Sequence, residues 1–405
     1  MLVQNNPNNS PHGQLILVST IVLFFFYGVI GRAIPAGFGL YEVISGSVLL
    51  IIIGSAVFDG YADFNVQPPI FPALLLSVYP SFIGLAVSGN IFTNFIRDII
   101  PLGFLFLPII LWRNIISAPR VWRRVFEELF CFSGMGLAAR HLFGAGAAFQ
   151  DVAISDEVPL NQCPTVIFAA IYSLLRGISR GDVFVVRLYR LIVGIVCLAS
   201  LSASVFRAQI FIVIFSVVIG IVFASSFRQI VRTVVFAFVS LVVVFLLGVD
   251  VEGPVRWTLE MMGAKTEATG GLANSRDAEA NSILTQAFEN PLALLLGQGW
   301  GSVMYLQTAN DYVRFAHNSL MYFIWKSGFI GLGLIIYYYF SLARFDYTGR
   351  ARVLFVANSP TMLGLASAGL IFGVVEMGYK MLSFGFLLCL MLAVARDVGG
   401  SSEYK

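Results

Sequence analysis

Apolar runs recur along the whole chain, and most are about 18 to 20 residues long, the length that an α-helix needs to cross a bilayer. This feature constrains the fold more than any other. Of the 405 residues, 58% are hydrophobic and 12% are charged, whereas about a quarter of a soluble domain is charged. The sequence therefore predicts an all-α integral membrane protein.

Twelve segments are predicted to span the membrane, and no internal repeat relates them. The predicted spans are 14–31, 39–57, 70–89, 94–112, 125–143, 163–176, 186–203, 208–225, 229–249, 317–343, 354–374 and 380–396. They form one membrane domain in three parts: nine helices in 1–249, a large loop in 250–316 and three helices in 317–405.

Arginine and lysine residues predict the orientation of these spans. Segments 113–124, 176–190, 227–232 and 344–352, together with Arg396 and Lys405, carry 15 of the 25 basic residues. The positive-inside rule places them and both termini in the cytoplasm, with Arg32 as a local exception. The 250–316 loop then faces the outside, where there is no ATP or nucleotide sugar, so chemistry there needs a substrate already activated on a lipid carrier.

Cysteines and acidic residues give little indication of a metal site. Cys131, Cys163, Cys197 and Cys389 are scattered without metal-binding spacing, and we interpret them as small apolar fillers. Asp151, Asp156 and Glu157 could bind a divalent cation, but a solvated loop is the favoured interpretation. We therefore predict no metal, no cofactor and no nucleic-acid partner.

The external loop contains two amphipathic segments, 253–263 and 274–291, with helix-like apolar spacing. In the second, Ile283, Leu284, Ala287 and Phe288 share one face suited to the membrane surface. Arg276 falls in the first turn, where the helix dipole disfavours a cation. It is either an arginine that reaches lipid headgroups or a functional residue.

Other arginines lie at the external ends of predicted spans. Arg207 begins the eighth span and is either an interface anchor or a clamp for phosphate oxygens. Arg140 ends the fifth span and could reach the same cavity. Arg314 lies close in sequence to His317, facing either that cavity or the solvent.

The segment "LLGQGWGS" (295–302) lacks the Lys-Ser/Thr ending of a phosphate-binding loop. It is interpreted as a tight turn that returns the loop to the membrane. Trp300 is then either an interfacial anchor or a sugar-stacking platform, and the sequence does not decide between them.

His317 and Asn318 precede a long apolar helix whose N-terminus faces the outside. Such an N-terminus binds anions through its free backbone N–H groups, and a neutral histidine there could accept a proton. Lys326 is a functional candidate because it is an intramembrane charge, although it is about 13 Å further along the helix. Glu376 and Lys380, in the last external turn, are expected to pair.

This stretch resembles the signature of the bacterial O-antigen ligase and polymerase superfamily. The signature is His, then Asn, Ser or Gln, nine residues, Gly, two residues, and Gly, Thr or Tyr. His317, Asn318, Gly328 and Gly331 match it, and Arg207, Arg276 and "GQGWG" precede it in the family's order. The resemblance covers about 195–345; one departure is "VFRAQ", where many members have Ser-Arg-Gly around the arginine.

The resemblance implies metal-independent glycosyl transfer on the periplasmic face of the bacterial inner membrane. The donor would be a glycan on undecaprenyl diphosphate, held by Arg207 and Arg276, and His317 would orient or deprotonate the acceptor hydroxyl. Arg140, Asn318, Arg314 and Trp300 are the expected substrate-binding residues. Membrane lipids and a regulator of chain length are further implied partners.

The acceptor separates two activities. A polymerase would use the next lipid-linked repeat unit, and a ligase would use a lipid A core sugar. The departure at "VFRAQ" slightly favours the polymerase. The alternative from another class is a lipid-linked glycan flippase or other transporter, which predicts charges spread through the spans and repeat symmetry.

Overall fold

The computed structural model describes residues 11–29, 39–58, 70–144, 163–179, 183–203, 207–224, 260, 275–306, 311–314, 316, 318–347, 359–375 and 380–400. These residues are mostly helical, with one two-stranded antiparallel sheet. The architecture is consistent with the predicted all-α membrane protein.

The first group of helices comprises α1 (Pro11–Val29), α2 (Leu40–Phe58), α3 (Ile70–Phe82, continued by a π-helical turn, Ile83–Val87), α4 (Phe92–Leu105), α5 (Leu107–Ile110), α6 (Trp112–Ser117), α7 (Pro119–Gly144), α8 (Pro164–Ile178), α9 (Phe184–Ala203) and α10 (Arg207–Ala224). The second group comprises α11 (Ser275–Phe288), α12 (Pro291–Leu296), β1 (Met304–Leu306), β2 (Asp311–Val313), α13 (Ser319–Tyr347), α14 (Pro360–Leu370, continued by a π-helical turn, Ile371–Val375) and α15 (Leu382–Gly400).

Four helical segments of the described residues are long and apolar enough to cross a membrane: Pro11–Val29, Ile70–Val87, Phe184–Ala203 and Ser319–Leu342. Every predicted span except 229–249 contains helix, and 229–249 lies outside the described residues. Several apolar helices are thus compatible with a multi-pass membrane protein. The count of twelve spans, the periplasmic position of the loop and the cytoplasmic termini stay predictions.

The predicted span 94–112 is not one continuous helix. It divides into α4, α5 and the start of α6, because Phe106 and Leu111 have φ −90° with ψ near 5°. Pro108, in the first turn of α5, has no N–H to continue the hydrogen-bond ladder of α4. The break brings the short helices α5 and α6 into contact with α15.

Glycines allow α7 to lie very close to α1 and α8. A Cβ built on Gly134 would be 2.5 Å from the carbonyl oxygen of Thr165, and one on Gly136 would be 2.7 Å from that of Gly28. Small residues permit this backbone approach between membrane helices. All four cysteines are buried free thiols, and Cys163 Sγ lies 3.0 Å from the Tyr27 hydroxyl, so this thiol also has a polar contact.

Gly134→Ala is expected to lower the free energy of unfolding by about 1–3 kcal/mol, since the added methyl group over-packs a contact with backbone atoms. Gly54→Ala on α2 is the control, because a Cβ there meets no described atom within 4 Å. The measurement is thermal unfolding of the purified protein in detergent. An equal effect of both substitutions would contradict the close approach of α7 and α8.

The described part of the 250–316 segment packs onto the apolar helices. Ile283 of α11 is 1% exposed and Phe288 is 63% exposed, so the predicted apolar face is divided between the protein core and the outer surface. Gln286 donates a hydrogen bond to the carbonyl oxygen of Tyr305 at 2.8 Å, which ties α11 to β1. The helix prediction for 274–291 is confirmed, whereas segment 253–263 lies outside the described residues apart from Glu260.

Candidate functional site

The segment "GQGWG" forms the predicted tight turn. Gly297, Gly299 and Gly301 have φ of 80°, 78° and 86°, a left-handed conformation that glycine adopts readily. A Cβ on Gly299 would be 2.1 Å from the backbone nitrogen of Gly84. The turn therefore lies directly against the π-helical end of α3, where no larger residue would fit.

This turn completes the hydrogen bonding of a broken helix. Gly328 interrupts α13 with φ 63° and ψ −171°, so the carbonyl groups before it lose their partners within the helix. The backbone nitrogen of Gln298 donates to Trp325 O, and that of Gly299 donates to Lys326 O, both at 2.9 Å. The Tyr79 hydroxyl donates to Ser327 O.

The two glycines that match the resembled signature, Gly328 and Gly331, each have a packing reason in this structure. A Cβ on Gly328 would lie 2.2 Å from the carbonyl oxygen of Leu295, and one on Gly331 would lie 2.7 Å from the Tyr79 hydroxyl oxygen. The signature thus coincides with the point where α3, the glycine-rich turn and α13 meet. This physical reason could not be read from the spacing of the two glycines.

Trp300 is a core residue, which corrects both interpretations offered by the sequence. It is 0% exposed, and its indole N–H donates to Leu76 O at 2.9 Å. Tyr322 and Phe323 pack against its ring. A fully covered ring is neither an interfacial anchor nor a platform for a sugar, so Trp300 supports the turn rather than contacting a substrate.

Beside this turn lies a buried ion cluster formed by Asp98, Lys326 and Lys380. The Lys326 ammonium is 2.9 Å from Asp98 Oδ2, and the Lys380 ammonium is 3.1 Å from Oδ1. The backbone nitrogen of Gly301 donates to Oδ2 at 2.8 Å, and Lys326 donates to Ser302 O. One carboxylate therefore joins α4, the glycine-rich turn, α13 and the start of α15.

Aromatic rings surround the two ammonium groups. Lys326 Nζ lies 4.3 Å from the centre of the Trp325 ring, and Lys380 Nζ lies 4.7 Å from that of Tyr322. Asp98 and Lys326 are both 0% exposed, and buried charges are tolerated when they are paired and hydrogen-bonded. These contacts replace much of the hydration that the charges lose.

The sequence identified part of this cluster. Lys326 is a candidate from the sequence as an intramembrane charge, and the structure shows that its partner is Asp98, which the sequence does not single out. Asp98 lies inside the predicted span 94–112, so two opposite charges in predicted spans were the available signal. Lys380 contacts Asp98; its expected partner Glu376 lies outside the described residues, so that pairing stays a prediction.

Arg314 extends the positive charge toward the predicted catalytic segment. Its guanidinium is close enough to repel both lysine ammonium groups. Its Nη1 atom is buried and donates no hydrogen bond to any described residue. Arg314 follows β2 directly, so the hairpin positions it just before His317 in the chain.

Asn318 caps the N-terminus of α13. Its side-chain oxygen accepts hydrogen bonds from the backbone nitrogens of Leu320 at 2.8 Å and Met321 at 3.4 Å, as expected of an N-cap asparagine. The residue therefore has a structural role beside the substrate-binding role predicted for it. His317 itself lies outside the described residues.

The predicted clamp residues fall at the ends of helices. Arg207 is the first residue of α10 and Arg276 is the second of α11, and their side chains lie outside the described part of the structure. Arg140 is half-buried on α7. Next to it, His141 Nδ1 lies 3.0 Å from Ser200 Oγ, which joins the ends of α7 and α9 near the start of α10. Asp151, Asp156 and Glu157 lie outside the described residues.

The described part of the site can hold negative charge. Arg314 offers a buried N–H group beside a cluster in which two lysines share one carboxylate, whereas the first-turn nitrogens of Leu320 and Met321 already donate to Asn318. This arrangement favours binding of a phosphate or carboxylate group near the His317 segment. No protein-family model and no curated protein matches this chain.

Proposed function

We propose that the protein is a membrane glycosyltransferase that moves a glycan from undecaprenyl diphosphate to a sugar hydroxyl on the periplasmic face, without a metal. The observation that carries the proposal is the setting of the His317 segment. Arg314 precedes it with a buried Nη1 atom that has no hydrogen-bond partner among the described residues, and Asn318 follows it as the cap of α13. A proton acceptor beside cationic groups is what transfer from a diphosphate leaving group requires.

In this reaction the acceptor oxygen forms a bond to the anomeric carbon of the glycan. The bond from that carbon to the diphosphate oxygen breaks, and the diphosphate leaves with the bonding electrons. His317 takes the proton of the acceptor hydroxyl. Arg207, Arg276 and Arg314 stabilise the negative charge on the leaving diphosphate, since a guanidinium binds phosphate oxygens through two N–H groups.

Between the two activities of the resembled superfamily, we favour the polymerase. The acceptor is then the next lipid-linked repeat unit, so that donor and acceptor carry the same lipid. The argument is the departure "VFRAQ" from the Ser-Arg-Gly pattern. A ligase that transfers the glycan to a lipid A core sugar is the alternative, and the same experiment distinguishes them.

His317→Ala is expected to reduce long surface glycan at least 100-fold, because general base catalysis contributes about 10²–10⁴ in rate. The measurement is gel separation of surface glycans by size, from cells whose only copy of the gene encodes the variant. Cells left with single repeat units would support the polymerase. Lipid-linked polymer that accumulates without reaching the surface would support the ligase.

His12→Ala is the matched control, because His12 lies in α1 and stacks on the Phe58 ring. It should leave the glycan pattern unchanged, and membrane levels of both variants are compared by immunoblot. Normal long glycan in cells with His317→Ala, at normal protein level, would contradict the proposed mechanism.

A further inference from the structure

The uncharged stretch around the glycine-rich turn is folded in among three helices. Residues 290–310, between Glu289 and Asp311, include no Asp, Glu, Lys, Arg or His. The chain runs inward as α12, turns at the glycines and runs back as β1. Gln286, before α12, donates a hydrogen bond to Tyr305 O on β1 at 2.8 Å. The two limbs of the 290–306 segment therefore begin and end at the same level.

Hydrogen bonds of the turn show how far this segment extends below the ends of the neighbouring helices. Backbone N–H groups of the turn donate to Pro80 O, Asp98 Oδ2 and Lys326 O. These three acceptors lie six or seven residues from the π-helical end of α3, the start of α4 and the start of α13. At the helical rise of 1.5 Å per residue, each acceptor is about 10 Å from its helix end. Three helices thus give the same depth for the turn.

This depth falls in the hydrocarbon layer when α3 crosses a membrane. The segment Ile70–Val87 is long and apolar enough to do so, with 18 residues, which measure about 27 Å along the helix axis. The hydrocarbon core of a bilayer is about 30 Å thick, so a crossing helix of this length lies almost wholly within the core. A point about 10 Å from its end is then well below the lipid headgroups.

The backbone of the turn has the hydrogen bonds that such a position requires. Non-helical backbone at membrane depth is tolerated where its N–H and C=O groups find partners within the protein. The Asn90 side chain donates to the carbonyl oxygens of Gln298 and Trp300, both at 3.1 Å. The backbone nitrogens of these two residues donate to α13 and α3, and that of Gly297 donates to Ala293 O at 2.7 Å.

One side of the segment is apolar and exposed. Leu292 and Leu295 lie one helical turn apart on α12 and are 63% and 49% exposed, and Val303 on the returning limb is 45% exposed. Apolar side chains that face water lose the favourable free energy of burial, whereas acyl chains are as apolar as leucine. Hydrocarbon is therefore the favoured neighbour of these three side chains. The turn, by contrast, supplies polar backbone groups to the Asp98 cluster.

Two tyrosines lie where the segment would leave the hydrocarbon. Tyr305 and Tyr312 are paired across the hairpin and are 36% and 67% exposed. Tyrosine is enriched at membrane–water interfaces, because its ring is apolar and its hydroxyl is polar. The limb from Asn290 to Gly297 measures about 10 Å as helix, and the limb from Gly301 to Tyr305 measures about 13 Å as extended chain. Both lengths agree with the depth that the hydrogen bonds give.

We propose that residues 290–306 form a re-entrant membrane segment. Leu292, Leu295 and Val303 contact the acyl chains of one leaflet, and the two hairpin tyrosines lie at its headgroups. The partner of this surface is the membrane lipid itself, since the segment is uncharged and its exposed side chains lie at the depth of the hydrocarbon. The inference rests on the apolar helices crossing a membrane and does not depend on glycosyl transfer.

Spin labels on introduced cysteines test the proposal with the purified full-length protein in phosphatidylcholine vesicles. The four native cysteines are buried, and wild-type protein treated with the label gives their background. Labels at Leu292→Cys and Leu295→Cys should collide more often with oxygen, which concentrates in hydrocarbon, than with a water-soluble nickel chelate. Val78→Cys on α3 is the lipid-facing control, because Val78 is 62% exposed. Arg120→Cys is the aqueous control, because the Arg120 side chain is 71% exposed.

The expected oxygen-to-nickel collision ratio at the two leucine positions is close to that of Val78→Cys and well above that of Arg120→Cys. The ratio of Arg120→Cys at both leucine positions would place the segment in water and overturn the inference. Labels that collide with neither reagent would also overturn it, because protein would then cover this surface. If Val78→Cys also gives the aqueous ratio, α3 does not cross the bilayer, and the membrane setting of the proposed function is wrong as well. The His317→Ala glycan result leaves this inference unaffected.

Discussion

Asp98→Asn is expected to destabilise the protein by about 3–5 kcal/mol, the range measured when one partner of a buried ion pair is removed. Asp98 is 0% exposed, as is Lys326, and it also contacts Lys380. The amide could still accept a hydrogen bond from Gly301, but it carries no charge to balance the ammonium groups. The measurement is the free energy of unfolding in detergent.

A double-mutant cycle separates the ion pair from other effects of the substitution. Lys326→Gln alone should also destabilise the protein. The double variant that carries Asp98→Asn and Lys326→Gln should lose less free energy of unfolding than the sum of the two single losses. The control is Asp397→Asn, since the Asp397 side chain is 15% exposed and pairs with Arg120 and Arg123, which are 71% and 25% exposed, so its loss should be smaller. Equal losses for Asp98→Asn and Asp397→Asn would contradict the buried cluster.

Gly328→Ala is expected to abolish the correctly folded form of α13 and, under the proposed function, to remove long surface glycan. The left-handed backbone at Gly328 costs a residue with a Cβ about 1–2 kcal/mol. In addition, that Cβ would be 2.2 Å from the carbonyl oxygen of Leu295, so α12 or α13 must move. Either shift separates the glycine-rich turn from the carbonyl groups of Trp325 and Lys326.

Gly333→Ala on the same helix tests whether the effect belongs to the bend. Gly333 has no described atom within 4 Å of its Cβ position, and alanine favours helix over glycine by about 1 kcal/mol. This variant should be as stable as the wild type or slightly more stable. A Gly328→Ala protein with the melting temperature and glycan pattern of Gly333→Ala would refute the strained bend.

The sequence predicted local structure where one property repeats along the chain. Apolar runs located the helices of the described residues, and the caps around 274–291 located α11. Three glycines at alternate positions predicted the turn at 297–301. The sequence was less informative where a residue contacts another that is distant in the chain. Trp300 was expected at a surface, but its indole N–H donates a hydrogen bond to Leu76, which lies more than 200 residues earlier.

The candidate site also contains residues that a local sequence pattern predicted and residues that it did not. The resemblance at His317, Asn318, Gly328 and Gly331 located the segment, because a signature is a local pattern. Asp98 had no such pattern: one carboxylate in an apolar run is informative only when the lysines that face it are known. The role of His317 stays a prediction that His317→Ala tests, and the roles of Arg207 and Arg276 stay predictions.

By itself, the sequence determined that this is a helical protein suited to a membrane, because hydrophobicity and helix length act within each segment. It also determined where the chain must turn, because glycine conformations depend on the residue itself. Only the tertiary structure decided that Asp98 joins Lys326 and Lys380 and that Gly328 bends α13 onto the glycine-rich turn. Each of these depends on which surfaces meet, and that depends on packing between segments that no single stretch of sequence contains.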